Sequence, residues 1–277
     1  MISANIKKEL PEWKRFKFPQ SLYKYFWLTL GVLFLLYVPE YLNIDLVRLI
    51  GLIDRFSSVI ANRYWPPDIE HLSKSSYLLA LIDTFQMSYV ATVLGVLFAV
   101  PLAWFGSFNI TPSKRILYPI ARFLVMTCRS VHEMIWTILL VAIVGYGMLP
   151  GTLALTLFCI GFAGKLMSES IESIRMGQVE AIRSSGANPL QVFIFAVLPQ
   201  VRVAWTGIII YTWDVVFRAA TVVGYFGAGG VGFYLRESVE RIETNRVCAI
   251  ILSIIFIVVL AELFSAWVRK KISNAIA

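Results

Sequence analysis

Residues 180–199 read EAIRSSGANPLQVFIFAVLP, and this stretch decides the fold. It lies between two strongly apolar segments, yet it is built like two short helices joined at a turn. Gly186 can adopt the left-handed backbone conformation that ends a helix. We call residues 173–199 the elbow, and we expect it to project from one side of a membrane protein.

The first helix of the elbow is predicted to be amphipathic. Its apolar positions fall at helical offsets, and charged residues lie between them. The apolar positions are Ile171, Ile174 and Ile182, and the charged ones are Glu172, Arg175, Glu180 and Arg183.

The second helix of the elbow carries a predicted start and a predicted end. Asn188 is a suitable N-cap, Pro189 fits the first helical position, and Gln191 can reach back to the cap. The helix is nearly all apolar, and it is expected to stop at Pro199 because proline has no backbone N–H to donate.

The composition is that of an integral membrane protein. The 277 residues are 58% hydrophobic and 15% charged, whereas soluble domains carry about 25% charged residues. The net charge of +8 fits an excess of basic residues in cytoplasmic loops better than a nucleic-acid surface, because it is not gathered in one soluble domain. Cys128, Cys159 and Cys248 lie singly in apolar surroundings, which indicates neither a disulfide framework nor a metal site.

Six apolar segments are long enough, or nearly so, to cross a membrane. Their expected ranges are 25–41, 79–105, 116–146, 152–167, 201–223 and 247–267. A basic tail precedes the first segment, and Arg269, Lys270 and Lys271 follow the last segment. Both termini are therefore expected in the cytoplasm. The fold class is therefore all-α, a polytopic membrane protein of about six transmembrane helices. Residues 1–76 hold the tail, the first span and an outer loop that is expected to include a surface helix, and 77–277 form the core.

Two details of the spans bear on packing. Gly161 and Gly164 in the fourth span are expected to allow close approach of other helices, and Lys165 and Glu169 could pair at its inner end. Asp83, Thr84 and Gln86 are expected to remain solvated at the outer end of the second span.

Charged residues interrupt two of the spans. The third segment contains Arg129-Ser-Val-His132-Glu133, so a broken or tilted helix with these side chains turned inward is expected. The alternative is an Arg129–Glu133 pair that only neutralises itself. The fifth span carries Asp214 and Arg218, again four apart, which form either a structural pair or a transport path in which Arg218 binds an anion.

A glycine-rich segment follows the fifth span. It includes Gly224, Gly227, Gly229, Gly230 and Gly232, and residues 227–232 fit the dinucleotide pattern G-x-G-x-x-G. That interpretation is rejected because the pattern needs a preceding strand, and here it follows a membrane span. A re-entrant outer gate loop is expected instead, followed by an external polar helix that begins near Arg236.

The residues alone leave several functions open. The elbow could be a simple connector between membrane helices. The broken helices and buried charges also suit a secondary transporter driven by an ion gradient, although no internal repeats are found. A membrane-bound enzyme is disfavoured, because only His71 and His132 are present and no H-E-x-x-H occurs. No phosphate-binding G-x-x-x-x-G-K-[ST] loop is present either, so the chain does not hydrolyse nucleotides itself.

The elbow resembles the E-A-A, three residues, G, nine residues, I-x-L-P loop of ABC importer permeases. Glu180, Ala181, Gly186, Leu198 and Pro199 match in register, while Ile182 and Ala196 depart from the pattern. In that family the loop docks into a groove of the cytoplasmic ATPase, so these five residues are implied to couple ATP hydrolysis to transport.

The likeness extends to the phosphonate-type branch of that family. Residues 213–232 look like its arginine, Thr-x-x-Gly and G-A-G-G-[IV]-G sequence, and residues 129–133 are similar to its R-S-[IV]-P-E, with His132 in place of proline. The resemblance implies that Arg129, His132, Glu133, Asp214 and Arg218 line the translocation path.

The resemblance also implies a type I ABC importer permease fold in a bacterial inner membrane. The implied partners are a second permease copy, two ABC ATPases that carry ATP and magnesium, and a periplasmic or lipid-anchored binding protein. The implied cargo is a phosphonate, phosphite or phosphate. No nucleic acid, metal or cofactor is expected on this chain itself.

Overall fold

A computed structural model describes residues 20–42 and 51–276, with side chains from residue 22 to residue 272. Residues 1–19 of the predicted basic tail and residues 43–50 of the predicted outer loop lie outside the described residues. Within the described ranges every regular element is helical, in agreement with the predicted all-α class.

The helices are numbered in chain order. They are α1 Gln20–Tyr41, α2 Leu52–Val59, α3 Ile69–Ser73, α4 Ser75–Phe105, α5 Leu117–Ser130, α6 Glu133–Val144, α7 Met148–Glu172, α8 Met176–Ser184, α9 Pro189–Val192, α10 Leu198–Val223, α11 Gly230–Glu240 and α12 Thr244–Ile276. Two π-helical turns, Ile60–Tyr64 and Phe193–Val197, extend α2 and join α9 to α10.

Five helical stretches are long and apolar enough to cross a membrane. The pair α5 and α6 would make a sixth, but it is bent by 89° at residues 131 and 132. This confirms both the predicted number of about six spans and the predicted break in the third one.

The chain divides into two units, Met1–Asn62 and Arg63–Ala277. In the first unit, the described apolar side chains of α1 are largely exposed, as suits a helix surrounded by lipid. In the second unit, α7 lies at the centre and packs against α4, α5, α6 and α10.

Glycines let the central helices approach closely. A Cβ atom at Gly161 would collide with the backbone of Cys128 and Arg129 on α5, and one at Gly164 would press on Val125. The predicted packing role of these two glycines is confirmed. The predicted pair between Lys165 and Glu169 also forms, at 2.7 Å.

Some predicted boundaries are wrong. The fourth span begins at Met148, so Pro150 lies in the first turn of α7, where its missing N–H costs no hydrogen bond. The first helix of the elbow begins only at Met176, because the chain turns at residues 173–175 after α7 ends. Thr84 is buried rather than solvated.

A short segment before α4 is fastened to the start of α12. Asp68 caps α3 by accepting a hydrogen bond from the N–H of His71, and its other oxygen lies 3.2 Å from Nε of Arg246. Burial raises the pKa of the Asp68 carboxyl, but the hydrogen bonds from His71 and Arg246 more than offset this and hold the pKa below its usual value. Thr244 also donates its hydroxyl to the carbonyl of Arg63.

His71 lies in this same segment, and neither of its ring nitrogens is hydrogen-bonded. Its ring lies beside the rings of Tyr77 and Tyr234, with centroids 6.1 and 6.3 Å away. Burial lowers the pKa of His71, and the positive charges of Arg246 and Lys74 lower it further. The opposing effect of the nearby carboxylates Asp68 and Glu243 is smaller.

Candidate functional site

The turn of the elbow forms as the sequence predicts. Gly186 has φ of +82°, the left-handed conformation, and its N–H donates to the carbonyl of Arg183 at 3.0 Å. Asn188 and Gln191 bond reciprocally, since each side-chain oxygen accepts from the other residue's backbone N–H, at 2.9 and 2.8 Å. The turn is therefore encoded locally by a glycine and a capping box.

The elbow has a buried face and an exposed face. Val179, Val192, Phe193 and Val197 are buried in the main apolar core. Four of the five residues that match the family loop are exposed, namely Glu180, Ala181, Gly186 and Pro199, while Leu198 is half-buried. The arrangement fixes the elbow to the membrane helices and leaves the matching residues accessible to another protein.

The prediction that the second helix of the elbow stops at Pro199 is wrong. The chain passes from α9 through the π-helical turn Phe193–Val197 into α10 without a break. Pro199 occupies the first turn of α10, and the wider π-helical turn before it accommodates a residue that lacks an N–H. The second helix of the elbow and the fifth span therefore belong to one helical run, Pro189–Phe226.

Asp214 and Arg218 form an ion pair on this run. An Arg218 Nη lies 2.6 Å from one carboxylate oxygen of Asp214. The Asp214 side chain is only 3% exposed, whereas that of Arg218 is 44% exposed. The second oxygen of Asp214 is buried and has no hydrogen-bond partner. A buried carboxylate thus holds a guanidinium that still presents free donors to an anion.

The Arg129–Glu133 alternative is wrong. The helix breaks between the two residues, so the spacing of four no longer brings their side chains together. His132 instead caps α6 by accepting from the N–H of Met134 at 3.4 Å, and its ring lies 3.3 Å from the Glu133 carboxylate. Arg129 is exposed and, in the part of the chain that the structure describes, has no ion-pair partner.

The start of α6 lies near the end of α10. Met134 of α6 lines a cavity of about 310 Å³ together with Thr221 and Val222 of α10. The hydroxyl of Thr221 donates to the carbonyl of Arg218 at 2.7 Å. The predicted path residues at the start of α6 therefore lie near the end of α10, the helix that carries Asp214 and Arg218.

The glycine-rich segment is packed more tightly than a flexible loop. A Cβ atom at Gly224 or Gly232 would collide with the backbone of the other, and one at Gly230 would meet the hydroxyl of Thr84. Gly227 and Gly229 have positive φ, of +103° and +80°. The predicted polar helix follows as α11, with pairs Arg236–Glu240 and Arg241–Glu237 at 2.7 and 2.6 Å.

A second cavity, of about 540 Å³, adjoins the glycine-rich segment. It is lined by residues of α6 and α11 and by three aromatic side chains, Tyr146, Tyr225 and Phe226. Arg236 and Glu240 supply its charges.

The described residues contain no group of three or more His, Cys, Asp or Glu side chains that could hold a metal ion. Two contributors to the site were missed by sequence reasoning, because their partners are remote. Thr84 bonds to the glycine-rich segment 147 positions away, and Gln200 bonds back to Arg175 across the whole elbow.

Comparisons with known proteins agree with this geometry. Residues 91–274 match the family described as binding-protein-dependent transport system inner membrane component. The phosphite transport system permease protein PtxC of Stutzerimonas stutzeri is 41% identical over 213 residues, which cover 77% of this chain and 76% of that protein. The phosphate-import permease protein PhnE of Mycolicibacterium smegmatis is 35% identical over 218 residues, which cover 78% of this chain but 41% of that protein.

A solved structure shares the fold. An inward-facing form of the MetNI methionine ABC transporter aligns with a TM-score of 0.61 and 18% identity, covering 71% of this chain and 96% of the solved chain. At this identity the likeness concerns the fold alone, and it agrees with the predicted type I importer architecture.

Proposed function

The chain belongs to the family of binding-protein-dependent inner-membrane transport components and is a permease subunit of an ABC importer, and we propose that its cargo is a small phosphorus oxyanion. Phosphite and phosphate are the cargoes named for two of its relatives. The sequence resemblance to the phosphonate-type branch adds phosphonate as a third candidate cargo.

The observation that carries this proposal is the exposed guanidinium of Arg218, held by buried Asp214. Arginine presents its donors in a planar fork that matches two oxygens of a phosphorus oxyanion. Its charge is anchored by one carboxylate oxygen, so the remaining donors keep their orientation when no cargo is present. This favours brief contact with an anion over a site for an uncharged solute.

We propose that Glu180, Ala181, Gly186, Leu198 and Pro199 contact a separate ATPase. Glu180, Ala181 and Gly186 are exposed on α8 and the turn after it, and Leu198 and Pro199 begin α10, the helix that carries Arg218. Motion imposed at the end of the elbow would therefore reach the path along α10. ATP and magnesium would bind to the ATPase, because this chain contains no phosphate-binding loop.

The remaining partners follow from the importer architecture. We propose two ATPase subunits, a second permease copy and a binding protein that delivers the oxyanion. Both termini and the elbow would lie in the cytoplasm, with the glycine-rich segment on the opposite side. That assignment agrees with the basic residues at the two ends of the sequence.

The test is transport by the purified complex in proteoliposomes. The permease is co-expressed with its ATPase, and phosphite-loaded binding protein is added on one side. We expect ATP hydrolysis to rise with loaded binding protein and labelled phosphite to accumulate inside. Uptake that follows a proton or sodium gradient without ATP would contradict the importer mechanism, and accumulation of only an uncharged solute would contradict the proposed cargo.

A further inference from the structure

The two ends of the elbow are joined by one side chain. Gln200 lies in the first turn of α10, and Arg175 lies immediately before α8. The backbone N–H of Arg175 donates to Oε1 of Gln200 at 3.1 Å, and Nε2 of Gln200 faces the carbonyl of Arg175 at 3.5 Å. The amide thus bonds to main-chain atoms, so the link does not depend on which side chain residue 175 carries.

The same amide also fastens its own helix. Nε2 of Gln200 donates to the carbonyl of Ala196 at 2.8 Å. Ala196 belongs to the π-helical turn, where the regular pattern of helix hydrogen bonds is interrupted and the N–H of Pro199 is missing. Gln200 therefore stabilises the one place where the run from the elbow into α10 would bend most easily.

A second link lies one helical turn further along. Nε1 of Trp205 on α10 donates to the hydroxyl of Ser170 on α7 at 2.8 Å. With the Gln200 link, it joins the segment from Ser170 to Arg175, at the end of α7 and just after it, to the beginning of α10 at two points. The two links therefore hold the two ends of the elbow together, where the chain leaves α7 and where it enters α10.

We propose that Gln200 is a positioning residue that makes the elbow move as one body with α7 and α10. The inference rests on the proposed coupling function of the elbow. Without the link, the elbow could shift at its base while α10 stayed in place. ATP would then be hydrolysed with less transport, because part of the motion would not reach Arg218.

The test variant is Gln200→Met, which keeps the length of the side chain and removes its hydrogen bonds. The number of ATP molecules hydrolysed per oxyanion taken up is measured with the complete complex in proteoliposomes. We expect this ratio to increase about fivefold, which is the factor that corresponds to one net hydrogen bond. Thr206→Val is the matched control, because it removes a hydrogen bond to Arg202 within α10 that does not cross the elbow.

A second variant separates this role from a general packing role. Gln200→Glu keeps the shape of the side chain and its acceptor for the N–H of Arg175, but an ionised carboxylate cannot donate to the carbonyl of Ala196. Gln200 lines a cavity of about 370 Å³ together with polar side chains of α7 and α8, so solvent can reach the group. We expect the ratio to increase in this variant too at neutral pH, because a solvent-accessible carboxylate is ionised there and the donated hydrogen bond is lost.

The possible results distinguish the proposed function of the protein from the proposed role of Gln200. A wild-type complex without ATP-driven uptake would overturn the proposed function itself. A functional wild type whose ratio is unchanged in Gln200→Met, or unchanged in Gln200→Glu, would overturn only the role of Gln200. If Gln200→Met does not assemble, the ratio measured for Gln200→Glu gives the answer.

Discussion

The hydroxyl of Thr84 accepts a hydrogen bond from the backbone N–H of Val231 at 3.0 Å, while it donates to the carbonyl of Ala80 at 2.8 Å. Val231 lies in the first turn of α11, where backbone N–H groups have no partner within the helix. Thr84 therefore caps this helix from a different element, α4. The contact fixes the glycine-rich segment against the membrane core.

Replacing Thr84 with Val should destabilise the protein, because the N–H of Val231 would be buried without an acceptor. We expect a loss of about 1–2 kcal/mol in the free energy of unfolding. The measurement is thermal unfolding of the detergent-purified permease. Thr92→Val is the control, since Thr92 is also buried on α4 but its hydroxyl bonds only within that helix, to the carbonyl of Ser88. Equal losses in both variants would argue against the cap.

Replacing Gly186 with Val should uncouple ATP hydrolysis from uptake. The left-handed conformation of residue 186 costs a residue with a side chain about 1–2 kcal/mol, and β-branching makes it worse. The turn would rearrange and move the exposed face of the elbow. Uptake and hydrolysis are measured together in proteoliposomes. Gly207→Val is the control, because Gly207 is helical and has open space around its Cα. Normal uptake by Gly186→Val would refute the coupling role.

Replacing Arg218 with Gln should reduce uptake at least tenfold while the complex still assembles. An interaction of 1.4 kcal/mol or more with the oxyanion gives that factor. Assembly is followed by size-exclusion chromatography, and uptake is measured at saturating binding protein. Failure to assemble would indicate instead that the pair with Asp214 is structural.

The double variant Asp214→Asn with Arg218→Gln distinguishes these cases further. Arg218→Gln alone leaves a buried carboxylate without a partner, whereas the double variant removes both charges. If Arg218→Gln alone impairs folding, the double variant should therefore fold better. Uptake should remain low, because the guanidinium is still absent. Recovery of uptake in the double variant would show that the pair acts only through stability.

Acidification should loosen the segment 63–74 through His71. Because the pKa of His71 is lowered in the folded protein, its contribution to stability is complete above about pH 6.5 and is lost as the pH falls through the folded pKa. Asp68 titrates below its own usual range, outside this window. We expect the unfolding temperature to fall between about pH 7.5 and 5.5 and this slope to flatten in His71→Phe. The same slope in the variant would exclude His71 as its origin.

The features that the sequence predicts correctly are local ones. The left-handed turn at Gly186 and the cap formed by Asn188 and Gln191 depend on residues within a few positions of one another. The close packing at Gly161 is also predictable from the sequence, because small residues in membrane spans are enriched where helices approach closely.

The features that the sequence does not predict depend on remote atoms or on a choice between two local structures. Pro199 usually ends a helix, but a π-helical turn before it provides another solution. The spacing of Arg129 and Glu133 implies a pair only if the helix is continuous, and it is not. The backbone N–H groups that donate to Thr84 and Gln200 lie 147 and 25 positions away along the chain, so composition and periodicity contain no trace of them.

The continuity of the run Pro189–Phe226 has a mechanical consequence. Its 38 residues, at about 1.5 Å each, make a lever arm of about 57 Å. A tilt of about 5° about one end displaces the other end by about 5 Å, close to one helical turn. A small rotation of the attached subunit could thus open or close a solute-sized passage at the far side, with amplification supplied by length alone.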